Sequence, residues 1–255
     1  MKSIFGGLPI FISDLYGSAV AYIDVELPNG SRSIGSAFHI GEGVFVTARH
    51  VVEGVRIIEL ATTVSGLIDD ETGKFQVVDL QGDSHTYRPT KPQIGRVVSG
   101  PHFHPNDDVD VAVLKIEGID APALTLGSHI ADEWIRDDAF ALQKILVMGY
   151  PPIPFNGHAV LFMTTAEINA VVRKYTGGNV HFAISAMARG GYSGGPCLGN
   201  DGRIIGMVVE ALGKNDEAIQ LGFMAAVSIE PIIDCLLHHD LLPANQNVDP
   251  EENWD

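Results

Sequence analysis

One serine in this chain lies among glycines in a pattern that suits nucleophilic catalysis. Residues 190–196 read GGYSGGP, with Ser193 at the centre. A serine hydroxyl is a weak nucleophile, so it needs a tight turn, a base beside it and backbone N–H groups that hold the developing oxyanion. Flanking glycines give the backbone that freedom. An ordinary glycine-rich turn with a solvent-facing serine has the same pattern, so the rest of the chain must decide.

A histidine and an aspartate earlier in the chain could complete such a site. His50 follows a short apolar strand and begins a helical turn, whereas Asp110 is predicted to lie within an apolar strand at 109–116. Asp107 and Asp108 belong to the preceding loop. Burial of an unpaired carboxylate is costly, so Asp110 needs a cationic or N–H donor partner, and a histidine N–H would serve. A structural histidine and a solvent-facing aspartate remain the alternatives.

The elements that position these residues are predicted to be almost entirely strands. Short alternating or β-branched runs recur between turn residues, at the spacing of a barrel or sandwich. One helix is predicted at 230–241, where apolar residues recur at helical spacing behind Pro231. The predicted strands are 19–27, 31–40, 43–47, 55–62, 75–80, 94–99 and 109–116, then 145–149, 158–170, 180–186, 203–209 and 218–226.

The strand runs predict two all-β domains and a tail. Residues 1–120, with His50 and Asp110, are predicted to form one barrel or sandwich, and residues 121–242, with Ser193 and the terminal helix, a second all-β unit. Residues 243–255 are polar and acidic. Because they have too little apolar surface to pack, we expect a mobile tail.

The composition excludes several classes of function. The 255 residues include 16 Lys and Arg against 32 Asp and Glu, a formal net charge of -16. Nucleic-acid or anionic-lipid binding is therefore not expected, and no apolar run approaches the ~20 residues of a membrane-spanning helix. Cys197 and Cys235 are too few for a disulfide framework. We expect a cytoplasmic protein; export, suggested by a poor imitation of a signal peptide at the N-terminus, is the alternative.

Taken together, three motifs resemble those of the chymotrypsin-like, or trypsin-like, serine proteases, and most of all the bacterial HtrA-type branch. They are TARHVV around His50, DVAVLK beginning at Asp110 and GYSGGP around Ser193, in the family's chain order. The resemblance covers roughly residues 17 to 240. It implies an all-β fold of two six-stranded antiparallel Greek-key barrels packed face to face, with a C-terminal α-helix and the active site between the barrels.

The resemblance also implies the chemistry. His50 would be the general base, Asp110 would orient it, Ser193 would be the nucleophile, and the N–H groups of Gly191 and Ser193 would form the oxyanion hole. The implied reaction is hydrolysis of peptide bonds in protein or peptide substrates through an acyl-enzyme. Neither a cofactor nor a metal is implied.

The pocket for the side chain before the scissile bond is also assigned by the resemblance. Its residues are taken from three segments: Met187 and Ala188; Val209, Glu210 and Ala211; and Gly222. Met187 stands where Arg- and Lys-cleaving members carry an aspartate. Because a thioether cannot compensate a buried guanidinium, we expect small to medium apolar side chains to be accepted. Glu210 could admit a basic residue at the rim.

Tyr192 marks a departure from the secreted digestive enzymes of this family. Those enzymes place an aspartate directly before the nucleophile, where it binds a newly cut N-terminal amine. Tyr192 carries no charge for that role. We therefore expect activity without N-terminal cleavage, with an activating protein partner or a homo-oligomer as the other means of ordering the active-site loops.

Three alternatives remain open to test. A catalytically silent relative that binds a protein partner would keep the fold without the reaction. A GxSxG esterase would need a helix after Ser193, which the glycines and Pro196 disfavour. His102 and His104 are two residues apart, so on a strand both side chains could lie on one face and bind a metal. A third ligand at suitable spacing is missing from the sequence, so we predict that these residues lie in a loop.

Overall fold

The structure, a computed structural model, describes residues 16–63, 75–78, 84–87, 92–127, 140–154, 156–173, 179–186, 190–209 and 224–246. Within these ranges the chain is mostly strand, with a 3-10 turn at Gly17–Ala19 and two α-helices. No helix in the described part of the chain is long and apolar enough to cross a membrane.

Six strands close the first barrel. Their order around it is β1-β2-β3-β8-β7-β4, and β4 returns to pair with β1, so β4-β1-β2-β3 form a Greek key. A separate two-stranded sheet is formed by β5 and β6. The strands are β1 Val20–Glu26, β2 Arg32–Gly41, β3 Val44–Thr47, β4 Arg56–Ala61, β5 Phe75–Val78, β6 Ser84–Tyr87, β7 Ile94–Phe103 and β8 Ala112–Glu117.

Six further strands close the second barrel with the same connectivity. The order is β10-β11-β14-β13-β12-β9, and every strand pair of both barrels is antiparallel. The predicted fold class, two six-stranded antiparallel barrels, is confirmed. The strands are β9 Lys144–Gly149, β10 Phe162–Arg173, β11 Val180–Ile184, β12 Pro196–Leu198, β13 Ile204–Val209 and β14 Met224–Ser228.

Period-two burial explains why these segments form barrel walls. In β1, Ile23 and Val25 are buried while the intervening Asp24 and the preceding Tyr22 are half-buried, as expected when alternate residues face the core. Each barrel interior is filled by large apolar side chains, among them Phe38, Phe45 and Leu114 in the first and Met148, Ile168 and Phe182 in the second.

The two helices are short. α1 is a single turn, Arg49–Val52, directly after β3, and α2 spans Glu230–His238. The prediction that α2 continues to residue 241 is wrong, because Asp240 takes a left-handed conformation with φ +55° and ends the helix. The last helical residue is His238, and His239 is the C-cap.

The end of the described chain is fastened to the first barrel. Gln246 is 6% exposed; its side-chain oxygen accepts the Leu126 N–H at 2.8 Å, and its amide group donates to the carbonyls of Leu124, at 3.0 Å, and Ile40. The prediction of a mobile tail from residue 243 is therefore wrong for residues 243–246, because this one amide satisfies three buried backbone groups. Residues 247–255 lie outside the described residues.

We expect Gln246→Ala to lower the free energy of unfolding by about 2 to 4 kcal/mol, since it leaves buried backbone groups of both the barrel and the connection unpaired. Urea denaturation of purified protein measures this. Asn200→Ala, at an exposed turn, is the control and should change stability by less than about 0.5 kcal/mol. A loss below about 1 kcal/mol for Gln246→Ala would contradict the anchoring role.

The buried side chain of His39 is expected to make the folded protein less stable at acid pH. Its Nδ1 lies 3.0 Å from the Pro122 carbonyl, and its Nε2 accepts the Gly43 N–H at 3.1 Å, so the neutral ring fits both partners. Burial is the main cause that lowers the pKa of His39 below 6.5. As the pH falls below 6.5, the unfolded chain therefore binds more protons at this position than the folded chain. The contribution of His39 to the free energy of unfolding is complete above pH 6.5 and is lost as the pH falls below it.

We therefore expect the free energy of unfolding to fall more steeply between pH 7 and pH 5 (about the range that spans an ordinary histidine pKa) in the wild type than in His39→Gln, which does not titrate. Urea denaturation at both pH values gives the two slopes. Equal slopes would contradict the assignment.

Candidate active site

His50 is attached to Asp110 at two points. The His50 backbone N–H donates to Oδ1 at 2.9 Å, and its Nδ1 lies 2.7 Å from Oδ2. A carboxylate only accepts hydrogen bonds, so Nδ1 carries a proton, and in the neutral ring Nε2 then has the lone pair. The side chains are 37% and 23% exposed. The arrangement fixes the tautomer and the orientation of a ring that solvent and a substrate can still reach.

Asp110 lies in the turn before β8 and not within a strand. His104 N–H donates to the Val111 carbonyl at 3.1 Å, and Val109 N–H donates to the Asn106 carbonyl at 3.1 Å, so the chain turns there before the ladder begins. The prediction of a strand from residue 109 is thus corrected: β8 begins at Ala112. The turn aims the carboxylate at α1.

Arg49 joins the helix that bears His50 to the loop before Asp110. Its guanidinium lies 2.9 Å from the Asp107 carboxylate, 2.8 Å from that of Glu53, and 4.9 Å from the centre of the Phe103 ring. The Arg49 side chain is 14% exposed and Asp107 is 90% exposed. This cation holds the loop and the helix together from outside the site.

Ser193 lies on a tight turn between residues 190 and 195. Gly195 N–H donates to the Tyr192 carbonyl at 2.8 Å, and Gly194 N–H donates to the Val208 carbonyl at 2.8 Å, which ties the turn to β13. Strand β12 begins directly after it, at Pro196. Because a strand and not a helix directly follows the serine turn, the elbow of a GxSxG esterase is excluded.

The turn packs directly against the strand end that precedes His50. Gly194 has φ +84°, and a Cβ built on it would lie 2.0 Å from the Ser36 carbonyl oxygen, 2.5 Å from Thr47 Oγ1 and 3.0 Å from the Ala48 nitrogen. Only glycine permits both this backbone conformation and this approach. The close contact brings the serine turn of the second barrel against the histidine segment of the first.

Gly191 gives the turn its second left-handed residue. It has φ +88°, and a Cβ there would lie 2.2 Å from the Tyr150 carbonyl oxygen. Among the described residues, no acceptor takes the backbone N–H of Gly191 or Ser193. Two uncommitted amides on one turn are the groups that an oxyanion site requires.

A cleft of about 820 Å³ opens beside this turn, with walls from both barrels. Tyr22 and Thr63 line it from the first barrel, and Pro151, Gly190 and Gly191 from the second. Burial and a hydrogen bond to Glu59 raise the pKa of Tyr22, so its hydroxyl stays neutral. Of the turn that bears Ser193, the cleft is lined by Gly190 and Gly191.

The predicted specificity pocket is only partly within the described residues. Val209 ends β13, is 6% exposed and pairs with Ala225 of β14. Met187, Ala188, Glu210, Ala211 and Gly222 lie outside the described residues, so the preference for apolar side chains stays a prediction.

Other candidate sites lack the geometry for chemistry. Cys197 and Cys235 are free and buried, and burial raises the pKa of each thiol to about 12, so both stay protonated.

His102 lies in β7, which continues to Phe103, so the prediction of a loop at His102 is wrong. In the described part of the chain, no group of His, Cys, Asp or Glu could hold a metal.

Two residues that hold the serine turn went unrecognised in the sequence: Ser36 and Tyr150. Ser36 is fully buried in β2, and Tyr150 is fully buried directly after β9. The available signal was a serine next to the apolar run AFHI of β2, since a buried hydroxyl needs partners.

A family model described as trypsin-like peptidase domain matches residues 35–207. This range includes most of β2 as well as His50, Asp110 and Ser193, and covers more than half of the chain. The chain belongs to the trypsin-like peptidase family. No curated protein matches this trypsin-like peptidase significantly.

Solved structures of HtrA-type and related proteases resemble this trypsin-like peptidase. The HtrA-type protease AlgW with tripeptide shares 21% identity at a TM-score of 0.55 over 89% of this chain and 63% of AlgW. The active form of the Rv3671c protease from M. tuberculosis shares 20% identity at a TM-score of 0.57 over 90% of this chain and 86% of that one. The chain thus spans less than two thirds of AlgW. These likenesses confirm the fold.

Proposed function

We propose that this trypsin-like peptidase is a serine endopeptidase that cleaves peptide bonds through an acyl-enzyme, with His50, Asp110 and Ser193 as its catalytic residues. The observation that carries the proposal is the double attachment of His50 to Asp110, through the backbone N–H at 2.9 Å and Nδ1 at 2.7 Å. A purely structural histidine needs no carboxylate on its ring. A general base needs one, because the carboxylate stabilises the imidazolium that forms during the reaction.

In the first half of the reaction, His50 Nε2 takes the proton of the Ser193 hydroxyl while Oγ bonds to the carbonyl carbon of the substrate. The carbonyl oxygen becomes an oxyanion, and the N–H groups of Gly191 and Ser193 donate to it. The imidazolium then protonates the leaving nitrogen, the C–N bond breaks, and an acyl-enzyme remains on Ser193.

In the second half, water replaces the amine. His50 Nε2 takes a proton from the water as its oxygen attacks the acyl carbon, and the proton returns to Ser193 Oγ when the ester bond breaks. Asp110 holds the ring in one orientation for both halves. The chain's own groups account for every proton moved.

A fluorophosphonate probe followed by a peptide-library digest tests the proposal. The probe forms a covalent bond with an activated serine, so intact-mass analysis should find one adduct, and peptide mapping should place it on Ser193. Ser193→Ala is the matched control and should take no adduct and cleave no peptide. A wild type that is neither labelled nor able to cleave would favour the silent binding module instead.

A further inference from the structure

Ser36 of the first barrel contacts the serine turn of the second barrel through both its backbone and its side chain. Its hydroxyl donates to the Gly191 carbonyl at 2.6 Å and accepts the Tyr150 N–H at 3.0 Å. Its backbone N–H donates to the Ser193 carbonyl at 2.8 Å, and its own carbonyl accepts Thr47 Oγ1 at 2.7 Å. The side chain is fully buried, so the hydroxyl has its partners within the protein.

These contacts fall on the two residues whose amides are the proposed oxyanion donors. The carbonyls of Gly191 and Ser193 are both held by Ser36. Fixing a carbonyl fixes the ψ angle of its residue, and so orients the peptide plane that follows it. A single residue of the first barrel therefore sets the backbone of the turn on both sides of Tyr192.

Among the described residues, the Gly191 carbonyl has one donor besides the Ser36 hydroxyl. Tyr150 N–H also reaches the Gly191 carbonyl directly, at 3.3 Å, a longer bond than the one from Ser36. Without the hydroxyl, the Gly191 carbonyl would keep only this weaker donor. The turn would stay folded but shift relative to the first barrel, where His50 lies.

We propose that Ser36 is a positioning residue for the oxyanion site: its hydroxyl fixes the turn of Gly191 and Ser193 against the first barrel so that both amides face the reacting carbonyl. The inference rests on the proposed function and deepens it. Its action is through Gly191 and not through the substrate, so it should affect the transition state more than substrate binding.

Ser36→Ala is expected to lower kcat about 10- to 100-fold and to leave KM within about twofold, because displacement of the donors weakens an interaction made chiefly in the transition state. Affinity for a peptide boronic acid, whose tetrahedral adduct places an oxygen at the oxyanion position, should fall by a similar factor. Affinity of Ser36→Ala combined with Ser193→Ala for the uncleaved substrate peptide should match that of Ser193→Ala alone.

Ser228→Ala is the matched control. Ser228 is also a fully buried strand serine of this fold, and its hydroxyl has no hydrogen-bond partner among the described residues. Its kcat should equal that of the wild type. An equal fall of kcat in both variants, or a Ser36→Ala kcat within about twofold of the wild type, would overturn the role of Ser36.

Two further outcomes are separable. If Ser36→Ala does not fold, Ser36→Cys replaces it, since a thiol is a weaker hydrogen-bonding group at the same position. Ser36→Cys should lower kcat with KM unchanged, and an unchanged kcat overturns the proposal.

If the wild type itself takes no fluorophosphonate on Ser193, the proposed function fails and this inference fails with it. A labelled, active wild type beside a fully active Ser36→Ala overturns only the inference.

Discussion

Ser193→Ala is expected to lower kcat/KM for a peptide substrate about 10⁴-fold or more, and His50→Ala and Asp110→Asn should each have an effect of similar size. The alanine variant loses the nucleophile, and the histidine variant loses the base. Asp110→Asn places an amide where Oδ2 now lies 2.7 Å from Nδ1, which favours the wrong tautomer of His50. Because the three act as one unit, the double variants should be no worse than the single ones. Steady-state kinetics on one peptide measures all of them.

Neighbouring carboxylates provide the controls for this series. Asp107 and Asp108 are exposed, and Asp107 contributes only a surface ion pair to Arg49. Such pairs contribute little, so Asp107→Asn and Asp108→Asn should stay within about threefold of the wild type. If either were as damaging as Asp110→Asn, the assignment of the third catalytic residue would be wrong. Circular dichroism should be unchanged throughout.

Gly194→Ala is expected to destabilise the fold by about 2 to 5 kcal/mol and to lower kcat/KM at least about 100-fold. Gly194 has φ +84°, which strains any residue with a Cβ. The added atom would also lie 2.0 Å from the Ser36 carbonyl oxygen, so the two barrels must move apart at the point where the serine turn meets the histidine segment. Urea denaturation and peptide kinetics give the two effects separately.

Gly190→Ala is the companion measurement for stability. Gly190 lies in the same turn, but it has no positive φ and no atom within 4 Å of a built Cβ. Its free energy of unfolding should change by less than about 0.5 kcal/mol. A Gly194→Ala variant as stable as Gly190→Ala would show that the barrels do not approach each other there as closely as described.

The strands could be predicted from the sequence because their signal is local. Short alternating or β-branched runs predicted twelve of the fourteen described strands, and most of the predicted bounds lie within four residues of those observed. β6 escaped prediction. So did β12, because β12 has three residues, begins with a proline and follows two glycines. It nevertheless closes the second barrel by pairing with β9 and β13.

The components of the site could be identified from the sequence, but not what holds them together. His50 and Asp110 lie 60 positions apart, and their contact depends on the pairing of β3 with β8, a non-local register that no motif encodes. Ser36 shows the same limit, since its importance arises only where β2 meets the other barrel. Composition likewise predicted a mobile tail from residue 243, whereas the side-chain amide of Gln246 attaches residues 243–246 to backbone groups of the first barrel and the connection.

The bond from Gln246 to the Ile40 carbonyl joins residues 206 positions apart. On a ribosome, the first barrel, the connection and the serine turn are all made before residue 246, so this bond can form only after all of them have been synthesised. A nascent chain would thus possess every proposed catalytic residue before the backbone groups of Ile40, Leu124 and Leu126 have Gln246 as their partner.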